Sequence, residues 1–222
     1  MQGKTGYSVA IDGPAGAGKS TITKKIAKMK GYIYVDTGAM YRAMAVYLLR
    51  NGVAPEDTNR ISEICEAADI SIAYRDGEQV VLLDGENVNA FLRTEEAGNM
   101  ASFSSAVPAV REKLVELQRK LAAKADVVMD GRDIGTVVLP DADVKIYLTA
   151  SSATRAKRRY LELREKGEEA ELARIEQDIV DRDERDMHRE HSPLRQAADA
   201  ILLDSSDMTI DEVVERIAEL CR

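Results

Sequence analysis

The sequence predicts an α/β fold, a parallel sheet with helices on both faces and an inserted small antiparallel β region. Three observations lead there. Short apolar runs alternate with amphipathic helical stretches along most of the 222 residues, and strands separated by helices pack as a parallel sheet. Two runs, 125–129 and 144–148, are apolar apart from Asp126 and Lys145, as strands buried on both faces tend to be. Between about residues 70 and 90 the texture changes to strand patterns joined by a tight turn, interrupting the βα alternation.

In chain order, residues 7–11 have a short strand pattern and 12–18 are glycine-rich. Residues 20–30 read as a helix stopped by Gly31, and 32–35 as a second strand. The spacing of Met40, Ala43, Met44, Tyr47 and Leu48 predicts a helix over 39–50 that ends at Asn51-Gly52. Residues 58–68 form another amphipathic helix, with Cys65 on its apolar face beside Ile61, Ile64 and Ala68, where a buried thiol is expected. Strand patterns at 70–74 and 79–83 flank Arg75-Asp76-Gly77-Glu78, a hairpin signal, and 86–88 adds a third short strand. Helical texture returns from Thr94 and again over 108–123. After the two apolar strands come charged helices at 151–165 and 168–189, separated by Gly167, and a last strand at 200–203. Thr209-Ile-Asp-Glu212 is a capping-box pattern that opens a final helix.

Composition narrows the function. Lys+Arg 31 against Asp+Glu 39 gives a net charge of −8, whereas a nonspecific nucleic-acid binder carries a basic domain. Aromatic residues are 5% and Trp is absent, which leaves little for base stacking. The two cysteines and two histidines show no zinc-ligand spacing. No run of 18 apolar residues and no long apolar leader occur, so the expectation is a cytoplasmic protein, without a signal peptide or a membrane partner.

The sharpest motif is Gly13-Pro14-Ala15-Gly16-Ala17-Gly18-Lys19-Ser20, followed by Thr21. It fits G-x-x-x-x-G-K-[ST], follows a strand pattern and opens a helix, the context the motif requires. Glycines let successive N–H groups turn toward phosphate oxygens, and the helix N-terminus adds partial positive charge. Lys19 reaches the β and γ phosphates, and the Ser20 hydroxyl is placed to ligand a phosphate-bound Mg²⁺. The chain is therefore expected to bind a nucleoside triphosphate. A GTP switch would need a guanine-reading Asn-Lys-x-Asp segment, and none is present.

Arginines supply the second signal. Arg155, Arg158 and Arg159 share one helical face, as do Arg182, Asp186 and Arg189. Each helix alone could equally be a solvated, salt-bridged surface. Arg132 lies in Gly131-Arg132-Asp133-Ile134-Gly135-Thr136, just after a buried strand, where open α/β sheets bind ligands. Transfer between a triphosphate and a second phosphate needs such a supply, because guanidinium pairs bidentately with phosphate and stays charged. A phosphate acceptor is largely ionised above its second pKa of about 6, so no general base is required. His188 and His191 read as surface residues.

With the phosphate loop, Asp36-Thr37-Gly38-Ala39-Met40-Tyr41-Arg42, the Gly-Arg-Asp-Ile-Gly-Thr loop and the late Arg182-Asp183-Glu184-Arg185-Asp186 segment in this order, the chain resembles the bacterial cytidylate (CMP/dCMP) kinases. The resemblance runs from about residue 7 to the C-terminus, and the β region near 70–90 looks like that family's enlarged nucleotide-binding region. It implies a P-loop nucleoside monophosphate kinase fold in a single domain over 1–222, with an acceptor-nucleotide region at about 37–112 and a helical lid at about 151–170. It further implies that Thr37, Arg42, Arg132 and Arg189 hold the acceptor phosphate side, that Ser102, Arg111 and Asp133 read cytosine, and that Arg182 and Asp186 hold the ribose. Arg155, Arg158 and Arg159 would close over the ATP phosphates. One departure is that Ser20-Thr21 stands where some relatives have Gly-Thr, which favours a metal role for Ser20.

The resulting expectation is a monomeric, Mg²⁺-dependent enzyme using ATP to phosphorylate CMP or dCMP, with no nucleic-acid partner. A P-loop kinase for another acceptor, such as UMP, or a nucleotide-binding switch module stays open. Taken without the resemblance, Arg111 could as well be a helix-start surface residue.

Overall fold

The computed structural model describes residues 6–75 and 77–222. Residues 1–5 and Asp76 lie outside the described residues, and with them the start of the stretch from which no signal peptide is expected and one central residue of the hairpin turn. The elements run β1 (Ser8–Asp12), α1 (Lys19–Lys30), β2 (Ile33–Asp36), α2 (Thr37–Arg50), α3 (Thr58–Ile64), β3 (Ile70–Arg75), β4 (Glu78–Leu83), β5 (Glu86–Asn87), α4 (Glu95–Ser104) and α5 (Pro108–Ala122). They continue with β6 (Val127–Gly131), β7 (Val144–Thr149), α6 (Ser152–Glu165), α7 (Leu172–Met187), β8 (Ile201–Asp204) and α8 (Ile210–Ala218). The chain forms two compact units, Gly6–Tyr34 with Ala125–Arg222, and Val35–Lys124.

The parallel sheet has the order β2-β6-β1-β7-β8, and β1, β6, β7 and β8 belong to the first unit. β1 pairs in parallel with both β6 and β7, and β7 with β8. Every residue of β1 and β6 is buried, as in strands covered on both faces, whereas Val144, Tyr147 and Thr149 of β7 are half-buried. Val9, Ile11, Ile22, Ile26, Val128, Ile146, Leu148, Val213 and Ile217 form its core, so the apolar stripes of α1 and α8 are spent on the sheet. α8 opens with the expected capping box: Thr209 and Glu212 each accept from the other's backbone N–H. The last charged helix begins at Leu172, four residues after its predicted start, and Glu171 at its cap makes no capping bond. His188 and His191 are exposed, as expected.

In the Val35–Lys124 unit, α2 starts two residues earlier than apolar spacing indicates. Asp36 explains this, since its Oδ1 accepts the Ala39 N–H at 2.8 Å and caps the helix. The helix expected over 58–68 stops at Ile64 and tightens into a single 3₁₀ turn, Cys65–Ala67, with Cys65 fully buried. The inserted β region is present. β3 and β4 pair antiparallel from Ile70↔Leu83 to Arg75↔Glu78, and β5 adds the short third strand. Met40, Met44, Leu48, Ile61, Leu83, Met100 and Leu114 are the large fully buried side chains here. Among the described residues no helix is long and apolar enough to cross a membrane.

Candidate active site

β1 ends at Asp12 and α1 begins at Lys19, so residues 13–18 are the connection the phosphate-loop motif predicts. Gly13 has φ 152°, and a side chain there would run into the Leu148 carbonyl oxygen of β7. Only glycine lets the loop leave the strand so close to its neighbour. α1 has no side-chain cap, the arrangement in which first-turn N–H groups take an anion. Lys19 is buried, and its Nζ donates to the Gly13 and Pro14 carbonyls at 2.7 and 2.8 Å. Burial, reinforced by the Arg132 charge, lowers the Lys19 ammonium well below its ordinary pKa. Thr21 is exposed.

Ser20 Oγ donates to Asp130 Oδ2 at 2.9 Å. Asp130, at the end of β6, is a residue sequence reasoning missed. Its signal is a lone carboxylate closing the apolar run Val127-Val128-Met129. A hydroxyl beside a carboxylate is a hard-oxygen pair suited to Mg²⁺. No group of three or more His, Cys, Asp or Glu able to hold a metal occurs among the described residues; an ion held by these two oxygens would take its other ligands from phosphate and water.

The arginines divide. Arg155 is buried, donates from Nε to the Ala150 carbonyl at 2.8 Å and from Nη1 to the Ala15 carbonyl of the phosphate loop at 2.8 Å. It pairs with Asp183 at 2.6 Å. Arg158 instead donates to the Ser205 carbonyl at 2.6 Å, and Arg159 pairs with Glu162 on its own helix at 2.9 Å. The single face that spacing predicts for these three therefore does not converge on one point, because long guanidinium arms follow the nearest carbonyl or carboxylate. Arg132 Nε donates to Asp186 Oδ2 at 2.7 Å. Burial works to raise the Asp186 carboxyl, but Arg132, Arg189 and Arg182 outweigh it and hold the carboxyl below its ordinary range. Asp133 is buried directly before a short turn, Ile134–Val138. Arg182 and Arg189 are half-buried.

In the Val35–Lys124 unit, Thr37 is buried in the first turn of α2, and Arg42 Nη2 lies 3.6 Å from Asp36 Oδ1. Ser102 is half-buried on α4. Arg111 is 5% exposed, donates to the Ser105 carbonyl at 3.2 Å and lies over the Tyr41 ring at 5.6 Å. Its burial removes the surface-residue alternative.

A family model described as cytidylate kinase matches residues 9–222. A cytidylate kinase from Caldicellulosiruptor bescii is 50% identical over 213 residues, covering 96% of this chain and 94% of the relative. One from Lactobacillus gasseri is 54% identical over 212 residues, covering 96% and 92%. An uncharacterized protein from Eubacterium ventriosum superposes with a TM-score of 0.52 at 13% identity, over 96% of each chain, a likeness of fold alone. With the family model matching residues 9–222 and relatives of that name about half identical over 96% of its length, this chain belongs to the cytidylate kinase family.

Proposed function

We propose that the chain transfers the γ-phosphoryl group of ATP to CMP or dCMP, giving ADP with CDP or dCDP. It acts as a single monomeric kinase domain in the cytoplasm, on small nucleotides rather than nucleic acid. The observation that carries this reading is the Arg132–Asp186 pair, held in the unit that also holds Lys19, in a chain of this family.

The N–H groups of residues 16–18 at the end of the loop and the Lys19 ammonium hold the ATP phosphates. Ser20 and Asp130 would hold Mg²⁺, which when bound offsets phosphate charge. An acceptor phosphate oxygen bonds to the γ-phosphorus as the bond to the bridging oxygen of ADP breaks. That oxygen is already ionised near neutral pH, so no side chain takes a proton. Arg132 and Arg189, with Thr37 and Arg42, hold the acceptor phosphate. Arg182 and Asp186 hold the ribose. Asp133 accepts from the cytosine amino group while Ser102 and Arg111 donate to its acceptors. Residues 37–112 serve the acceptor and about 151–170 form the lid. Arg155, already on the Ala15 carbonyl, is its fixed member, and Arg158 and Arg159 exchange their present partners for ATP phosphate.

The test is ADP production from Mg-ATP with CMP, dCMP, UMP, AMP, GMP and dTMP in turn. CMP and dCMP should lead by more than about a hundredfold, since buried hydrogen-bonding groups left unpaired discriminate strongly. UMP turned over as well as CMP would overturn the base-reading role of Asp133. ATP binding without any transfer would overturn the acceptor assignment.

A further inference from the structure

Asp12 has no part in the chemistry above, yet its carboxyl is buried at 5% exposure at the end of β1. Its Oδ1 accepts the Ile134 N–H at 2.8 Å and its Oδ2 accepts the Gly135 N–H at 2.7 Å. Consecutive amides on the two oxygens of one carboxylate fix both the position and the rotation of the peptide between them. The fit is close. A Cβ at position 135 would stand 3.2 Å from Lys145 Cδ and 3.4 Å from Asp12 Oδ2, so the missing side chain lets the amide reach the carboxylate. The backbone of the same residue also registers with Gly131 in the β1–β6 ladder. Asp12 thus holds the chain at 131 through its main chain and at 134–135 through its side chain. Only Arg132 and Asp133 lie between those anchors.

We infer that Asp12 is a positioning residue for acceptor recognition, fixing Arg132 and Asp133 from both sides. The inference rests on the proposed roles of those two residues. A carboxylate suits this task better than an amide, because it accepts from both N–H groups, whereas Asn offers one acceptor and one donor.

The test is steady-state kinetics of Asp12→Asn and, separately, Gly135→Ala, with CMP, UMP and ATP varied, beside Asp133→Ala. Asp12→Asn keeps volume and loses one amide bond; Gly135→Ala pushes the amide away from an intact carboxylate. Both should raise the CMP KM about tenfold and lower the CMP-over-UMP ratio of kcat/KM about tenfold, with the ATP KM within about threefold. If either variant fails to fold, the other carries the test. An unchanged CMP KM and ratio, or equal losses for ATP and CMP, would make Asp12 a structural brace and overturn the inference. Asp133→Ala separates the two ideas. If it alone lowers the ratio, base reading stands and positioning falls. If it leaves the ratio intact while Asp12→Asn raises the CMP KM, base reading falls and positioning stands through Arg132.

Discussion

Arg155 and Asp183, 2.6 Å apart, grip one residue of the phosphate loop through the peptide groups on its two sides. Asp183 Oδ1 accepts the Ala15 N–H at 3.2 Å, and Arg155 Nη1 donates to the Ala15 carbonyl at 2.8 Å. Both side chains are more than nine-tenths buried. Removing one partner leaves the other charge buried, which costs about 3–5 kcal/mol. Urea unfolding of Asp183→Ala should show that loss. The double variant Arg155→Met with Asp183→Leu should be closer to wild type. Equal losses in the two would mean that no coupling exists.

Asp130→Asn removes a charge from the Ser20–Asp130 pair while keeping its size. The free Mg²⁺ giving half-maximal activity at fixed ATP should rise about 10–100-fold. An unchanged requirement would take both residues away from the metal.

Asp12 also makes a pH prediction. Burial lifts its carboxyl from 3.8 to about 6, against the pull of the Gly135 and Ile134 amides. Between about pH 4 and 6 the folded protein therefore holds a proton that the unfolded chain has released, and this group's contribution to stability falls as pH rises. The unfavourable contribution is complete above pH 6, on the order of 3 kcal/mol, and fades toward pH 4. Urea unfolding of wild type and Asp12→Asn at steps across that window should give a difference that changes with pH. A constant difference would return Asp12 to the ordinary carboxylate range.

Gly13→Ala places a methyl group against the Leu148 carbonyl at a positive φ. A loss above about 4 kcal/mol is expected, read as a collapse of the unfolding midpoint. A shift small enough to leave ATP binding intact would show that the loop can leave β1 by another path.

The phosphate loop was legible in the sequence because its chemistry is local. Eight consecutive residues carry the glycines, the lysine and the hydroxyl, and a strand and a helix flank them. Asp12, Asp130 and Asp183 were not legible, for the opposite reason. Their partners lie 122, 110 and 168 positions away, and the one local signal, the apolar run that Asp130 closes, marks a strand end and names no partner. The arginines of α6 show the limit of helical spacing: it places Arg155, Arg158 and Arg159 near one face, but the distant Ala15 and Ser205 carbonyls decide where the first two guanidiniums end. The Asp36 cap of α2 lies between these cases, a local signal outweighed in the sequence by the apolar spacing that begins at Met40.

The central place of β1 has a consequence for how the molecule is made. Its neighbours β6 and β7 both follow the Val35–Lys124 unit in the chain, and Tyr7 bonds to Asp126, 119 positions away. On the ribosome, β1 emerges and stays without a flanking strand until that whole unit has been translated. The antiparallel strands of the unit pair over short separations, Ile70 with Leu83, so they gain structure while β1 waits, contacts near in sequence being the faster to form. A nascent chain halted before β6 would hold every residue from Gly13 to Ser20 yet lack the strands that shape them into a phosphate site, so nucleotide binding is a late event in synthesis.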